Sequence, residues 1–160
     1  MSDDQHEGTY VSVRYSKSDS ERLYEIFKTI IDNPYTPEHL HTTLMYSRET
    51  PFIDDIRPVL VGKSITLWNP RLTLFGDDHN VLVMEFDSPV LQQRHKELKQ
   101  MGLMHSYDEF RPHITLTEDY RGSLVDVLSM KNPFQPTHLK NVTIRSETFE
   151  PVKEEDWQES

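Results

Sequence analysis

Hydrophobic and polar residues alternate along Thr9-Tyr10-Val11-Ser12-Val13-Arg14-Tyr15, the period of a strand with one buried face. The period then changes. Leu23, Ile26, Phe27, Ile30 and Ile31 recur at helical spacing, which predicts an amphipathic helix over residues 19–32, with Ser18, Asp19 and Ser20 as candidate caps. Asn33-Pro34-Tyr35-Thr36-Pro37 stops it, because proline neither continues a helix nor lets its predecessor do so. Residues 40–46 return to strand character. A polar loop through Pro58 follows, then two β-rich runs, 59–68 and 71–75, separated by Asn69-Pro70, which reads as a turn.

The same order returns downstream. Residues 80–86 read as a strand, after an Asp77-Asp78-His79-Asn80 segment that reads as a hairpin turn. Ser88-Pro89 pairs an N-cap residue with proline at the first helical position and opens a helix over residues 89–101. Its apolar positions include Val90, Leu91, Leu98 and Met101, and Gly102 stops it. The loop 105–112 leads into a strand beginning at His113. Residues 124–130 are expected to form a short helix, residues 138–149 a long strand at the edge of the fold, and residues 154–160 a charged tail.

Both of the strands that follow a helix carry one pattern: His41-Thr42-Thr43-Leu44 and His113-Ile114-Thr115-Leu116. Residues two apart in a strand share a face, so each copy sets an imidazole beside a hydroxyl and turns its Leu the other way. One His-x-Thr-Leu is expected by chance in roughly four chains per hundred of this length, two in roughly one per thousand. Strand, helix and motif strand also repeat at near-equal spacing, a duplicated unit with pseudo-two-fold symmetry that would bring both motifs to one cleft. The fold expected is α+β, in one domain over residues 1–160. It has two antiparallel-sheet lobes at about 8–76 and 77–150, helices outside, a central cleft, and a tail at 151–160.

Composition narrows the chemistry. The formal charge of −10 argues against a binder of long nucleic acid, whose affinity for polyphosphate rests on Lys and Arg. Without Cys there is no disulfide, thiolate zinc site or Cys nucleophile. The polar opening Met1-Ser2-Asp3-Asp4-Gln5-His6-Glu7-Gly8 has neither the basic nor the apolar region of a signal peptide, and no long apolar run exists. A cytoplasmic protein without membrane partners is expected. His39 and His41 share a spacing that ligates zinc, but no third ligand stands nearby, so no metal or other cofactor is expected.

Two His-x-Thr motifs on a bilobal α+β fold define the 2H phosphoesterases, and this chain resembles that family. The segments Gly8-Thr9-Tyr10-Val11, Ile65-Thr66-Leu67-Trp68 and Arg111-Pro112-His113-Ile114-Thr115-Leu116 look like its branch of anti-CBASS cyclic-oligonucleotide phosphodiesterases from T4-like phages. The likeness runs from about Gly8 to Trp157. It implies a phage enzyme, acting as a monomer in the cytoplasm of the infected bacterium, that destroys the cyclic di- and trinucleotides activating abortive defence.

The chemistry follows from the residues themselves. One neutral His removes a proton from the 2′-hydroxyl beside a 3′–5′ linkage, and one protonated His gives a proton to the departing 5′-oxygen. Unperturbed imidazole titrates near pH ~6.5, so both forms coexist near neutrality. Thr43 and Thr115 would donate to the nonbridging oxygens. The sequence leaves open which His is base and which is acid. The resemblance implies that Tyr10 and Trp68 stack on or cover the bases, with Tyr107, Glu150 and Trp157 as further base contacts. Arg48, Arg111 and Lys140 are candidate phosphate partners, although Glu109 stands close to Arg111. Two other readings remain at this point: a 2′,3′-cyclic phosphodiesterase or RNA-end processing enzyme, and a sponge that grips cyclic nucleotides without cleaving them.

Overall fold

The computed structural model describes residues 8–48, 57–76, 80–106, 109–121 and 139–152. Along them run β1 (Thr9–Tyr15), α1 (Lys17–Lys28), β2 (His41–Ser47), β3 (Ser64–Phe75), β4 (Val81–Asp87), α2 (Pro89–Gln100), β5 (His113–Thr117) and β6 (Leu139–Pro151). The expected helix at 124–130, most of the turn at 77–80 and the tail lie outside the described residues. The strands form one antiparallel sheet in the order β2-β1-β6-β3-β4-β5. No helix among the described residues is long and apolar enough to cross a membrane.

β6 stands at the centre of the sheet, not at its edge. Its residues 139–143 pair with β3 on one side and its residues 144–151 with β1 on the other. Its length of 13 residues is what allows one strand to join both groups. β3, expected in the first lobe, pairs with β4 of the second. β3 is also a single strand. Asn69 adopts φ 51°, and the register against β4 slips between Trp68 and Arg71, so Asn69-Pro70 makes a bulge within the strand instead of a turn. The strand starts at Ser64, not at Val59. Residues 59–62 form a tight turn closed by the Val61 amide on the Val59 carbonyl at 3.0 Å.

Helix α1 begins earlier than expected because Ser16, not Ser18 to Ser20, caps it. The Ser16 hydroxyl accepts from the Asp19 amide and donates to the Asp19 carboxylate, which accepts in turn from the Thr143 amide of β6 at 2.8 Å. The helix stops at Lys28. Ile30 and Ile31 hang their amides on the Phe27 carbonyl in a turn and still pack against the core.

Ser88 caps α2 through the Leu91 amide, with Pro89 in the first turn, as expected. Leu91 and Leu98 face the core, Val90 packs at its margin, and Met101 is exposed. Two polar side chains fill the rest of the buried stripe. Arg94 meets Glu147 of β6, Nη2 to Oε1 at 2.8 Å and Nε to Oε2 at 3.1 Å. His95 donates from Nδ1 to the Leu44 carbonyl of β2 at 2.6 Å and stacks on Phe110.

The apolar residues opposite the motif face make the core: Val11, Val13, Leu44, Leu82, Met84, Phe86, Ile114 and Leu116 are all fully buried. The two halves also grip one another symmetrically. After α1, the Tyr35 amide donates to the Leu116 carbonyl of β5 at 2.7 Å; after α2, the Ser106 amide donates to the Tyr46 carbonyl of β2 at 2.8 Å. The sheet thereby curls until its outermost strands, β2 and β5, approach each other.

Candidate active site

The two motif strands are those outermost strands. Their cross-strand registers set out the face they share. Arg14 pairs with His41 and Ser12 with Thr43 in one half; Glu85 pairs with His113 and Val83 with Thr115 in the other. Side-chain alternation then puts Tyr10, Ser12, Arg14, His41, Thr43, Ser146, Thr148 and Glu150 on one face of the first half. Arg71, Thr73, Phe75, Glu85, His113 and Thr115 occupy the matching face of the second. Gly8 lets β1 lie close to the end of β2, because a Cβ there would collide with the Ser47 carbonyl.

Each imidazole is held in the same way. His41 Nδ1 lies 2.9 Å from the His39 carbonyl, and His113 Nδ1 lies 2.8 Å from the Arg111 carbonyl, in both cases the residue two before. A carbonyl only accepts, so each Nδ1 carries the hydrogen, and in the neutral ring each Nε2 keeps its lone pair as an acceptor. The bond fixes tautomer and ring orientation at once. His39 serves this geometry with its backbone while its own Nδ1 sits 2.6 Å from the Thr36 hydroxyl. Among the described residues no group of three His, Asp or Glu side chains is placed to hold a metal ion.

Burial first, and then the Arg14 guanidinium, push the His41 pKa below the ordinary imidazole value, against the pull of its carbonyl bond and of Glu118 and Glu150. Burial likewise lowers His113, aided by the His41 charge and Arg111 and opposed by its carbonyl bond and Glu85. That His41 acts on His113 through space agrees with the approach of β2 and β5. The arrangement presents two nitrogen bases on the outermost strands, each with a hydroxyl two residues on, the residue types that proton transfer at a phosphodiester requires.

The two halves differ around their rings. The Tyr10 hydroxyl stands 3.0 Å from His41 Nε2 and 3.0 Å from Thr43 Oγ1, so a ligand oxygen in that place would touch both groups. On the other side the Phe75 ring packs edge-on against His113, centroids 4.7 Å apart, and the Arg111 guanidinium lies 4.6 Å over Phe75. Arg111 binds Glu85 with two hydrogen bonds, Nε to Oε2 at 2.7 Å and Nη2 to Oε1 at 2.8 Å. Its carboxylate partner is therefore Glu85, across the strand, and not the neighbouring Glu109. Glu85, Arg71 and Phe75 escaped the sequence reading, because only the register of β3, β4 and β5 brings them to His113.

Of the other expected residues, Trp68 is 43% exposed and pairs with Asp87, which puts it on the motif face at the bulge. Glu150 is exposed opposite Tyr10. Tyr107 and Trp157 lie outside the described residues. Arg48 directs its guanidinium over the Tyr46 ring, 5.4 Å from the centroid.

The profile of the family described as "Anti-CBASS protein Acb1" matches residues 7–160. The anti-CBASS protein Acb1 of Vibrio phage KVP40 is 29% identical over 117 residues, which cover 71% of this chain and 74% of that protein. That of Enterobacteria phage T4 is 30% identical over 114 residues, 69% and 71% of the two chains. That of Yersinia phage phiR1-RT is 27% identical over 97% of this chain and 94% of its own. Among solved structures, E. coli LigT complexed with 3′-AMP superposes with a TM-score of 0.56 at 17% identity, covering 92% of this chain and 95% of that one. A second crystal structure, of a phosphoesterase, gives 0.57 at 17%, covering 92% and 96%. The fold is that of the LigT-like 2H phosphoesterases.

Proposed function

We propose, since this chain belongs to the Acb1 family of anti-CBASS proteins, that it is a phosphodiesterase opening 3′–5′ linkages of cyclic di- and trinucleotide immune signals in the cytoplasm of an infected bacterium. It works as a monomer and without metal. The observation that supports this best is the matched pair of imidazoles, each with Nδ1 fixed on the carbonyl two residues before it, so that Nε2 of the neutral ring carries the lone pair.

The reaction uses both rings at once. A neutral imidazole takes the 2′-hydroxyl proton at Nε2, and the 2′-oxygen attacks the adjacent phosphorus. The bond from phosphorus to the 5′-oxygen breaks, and the second imidazole, protonated, gives that oxygen its proton. Thr43 and Thr115 donate to the nonbridging oxygens as negative charge grows there. The first product is a linear nucleotide ending in a 2′,3′-cyclic phosphate, and each ring has exchanged its protonation state. Water then opens the cyclic phosphate to a 3′-phosphate with the roles reversed. The Tyr10 hydroxyl yields its place between His41 and Thr43 when the oxygens of the scissile linkage enter.

Bases find aromatic faces at Tyr10 and Trp68, and a carboxylate acceptor at Glu150; Tyr107 and Trp157 complete the proposed base contacts. Trp68→Ala is expected to raise KM for the ring substrate with kcat little changed. Stacking contributes about 1–3 kcal/mol per base, roughly a 5- to 150-fold effect. Initial rates over a range of substrate concentration check this, and an unaltered KM would exclude a stacking role.

The function is tested by incubating the protein with 3′,3′-cyclic GMP–AMP in excess EDTA and separating the products by chromatography. Linear products support the reading. Intact nucleotide that is nonetheless tightly bound would make the protein a sponge instead.

A further inference from the structure

We propose that Arg71 and Arg111, held together on Glu85 beside His113, form a subsite for a second, uncleaved phosphate of the substrate ring. This rests on the cyclic-nucleotide reading above and deepens it. Glu85 is 5% exposed, and both guanidiniums converge on its Oε2: Arg111 Nε at 2.7 Å and Arg71 Nη2 at 3.4 Å. Thr73 donates a further hydrogen bond to Oε1 at 3.1 Å. One carboxylate neutralises one guanidinium. Asp87 also pairs with Arg71, so the group is formally neutral, but its two guanidiniums are part-exposed while Glu85 beneath them is buried.

The two guanidiniums are placed for a ligand. Arg71, Glu85 and His113 stand in register on adjacent strands, so the group begins one strand from the reacting ring. Arg71 is 37% exposed and Arg111 is 47% exposed in their side chains, whereas the Glu85 that holds them is buried. Buried anchoring orients the donors before any ligand arrives, which is what a planar guanidinium needs to meet a phosphate. Asp87, 58% exposed and 3.4 Å from Arg71 Nη1, is the outer carboxylate that an entering phosphate would replace on Arg71. The bulge at Asn69 turns Arg71 onto this row, and the Asn69 carbonyl accepts from Arg71 Nη1 at 3.0 Å.

The chemical consequence is a choice between substrates. A cyclic dinucleotide has two phosphodiesters at opposite sides of its ring, so one can lie between the imidazoles while the other reaches away from them. A linear dinucleoside monophosphate has the same 3′–5′ bond and the same 2′-hydroxyl but no second phosphate. Arg71 would thus favour rings over single linkages without touching the reacting atoms.

The test compares Arg71→Gln with the unaltered protein on 3′,3′-cyclic GMP–AMP and on linear adenylyl-(3′–5′)-adenosine. Loss of a charge-assisted contact is expected to lower kcat/KM on the ring about 10- to 100-fold, chiefly through KM. Activity on the linear compound is expected to stay within about twofold, since it never meets the subsite. Arg71→Lys should recover part of the loss, and added salt should erode the ring preference of the unaltered protein more than that of Arg71→Gln. Equal losses on both substrates, or none on either, would overturn the subsite while leaving the function intact. Failure of the unaltered protein to cleave either compound would overturn the function and the subsite together.

Discussion

Replacing His113 with alanine is expected to lower kcat on a cyclic dinucleotide by about 10²- to 10⁴-fold, the range of a lost general acid or base, and His41→Ala should do the same. Both variants should fold and bind nucleotide, because each imidazole stands on the cleft face and not in the apolar core. The double variant should be little worse than either single one, since groups that act in one transition state are not additive. Losses that multiply would mean that the rings do not share a phosphorus. The pH profile carries the same information. The base must be neutral, so activity rises as pH passes upward through its pKa; the acid must be charged, so activity falls as pH passes through the other. Burial holds both His41 and His113 below the ordinary imidazole value, as do Arg14 for the first and the His41 charge for the second. The maximum of kcat/KM, which reports the free protein, should therefore lie on the acid side of that value. An alkaline maximum would contradict the assignment.

The largest loss of stability is expected from Glu147→Ala. The Arg94–Glu147 pair is buried on both sides, with side-chain exposures of 2% and 0%, and it joins α2 to the central strand. Glu147 Oε1 also accepts the Val59 amide at 3.2 Å, and Arg94 reaches Glu97 at 3.2 Å and the Arg57 carbonyl at 3.4 Å. Removing the carboxylate leaves a buried guanidinium with only the part-exposed Glu97 as its charge partner, which costs up to about 3–5 kcal/mol and lowers Tm by up to about 6–20 °C in a chain of this size. Arg94→Met combined with Glu147→Leu should recover most of that loss, because no unpaired charge then remains. Thermal unfolding of the three variants measures it. A Glu147→Ala protein as stable as the unaltered one would show that the pair is dispensable.

Much of this architecture is legible in the chain because its signals are local. Alternation marks β1 and the two motif strands, and Ser88-Pro89 marks the start of α2. The paired His-x-Thr pattern fixes which side chains share a face, and the described geometry of His41, Thr43, His113 and Thr115 follows from that period. Relations between distant segments are not written locally. Nothing in residues 138–149 distinguishes a central strand from an edge one, since both look apolar and alternating. Asn69-Pro70 has the chemistry of a turn, but an Asn that tolerates positive φ beside a Pro that donates no hydrogen bond serves a bulge equally well. Glu85 and Arg71 look like ordinary surface charges until the register of β3, β4 and β5 sets them beside His113. Ser16 caps α1, ahead of Ser18 and Asp19, because Asp19 is drawn to the Thr143 amide, a partner 124 positions away.

The central claim is that paired imidazoles pass a proton from the 2′-hydroxyl to the departing 5′-oxygen before any water takes part. Mass spectrometry of the earliest product from 3′,3′-cyclic GMP–AMP tests it most directly. The expected first product is a linear species of the same mass as the substrate, the 2′,3′-cyclic phosphate, which later gains one water, and a ring built on 2′-deoxyribose should not be cleaved. A first product already heavier by one water, together with cleavage of the deoxyribose ring, would contradict it.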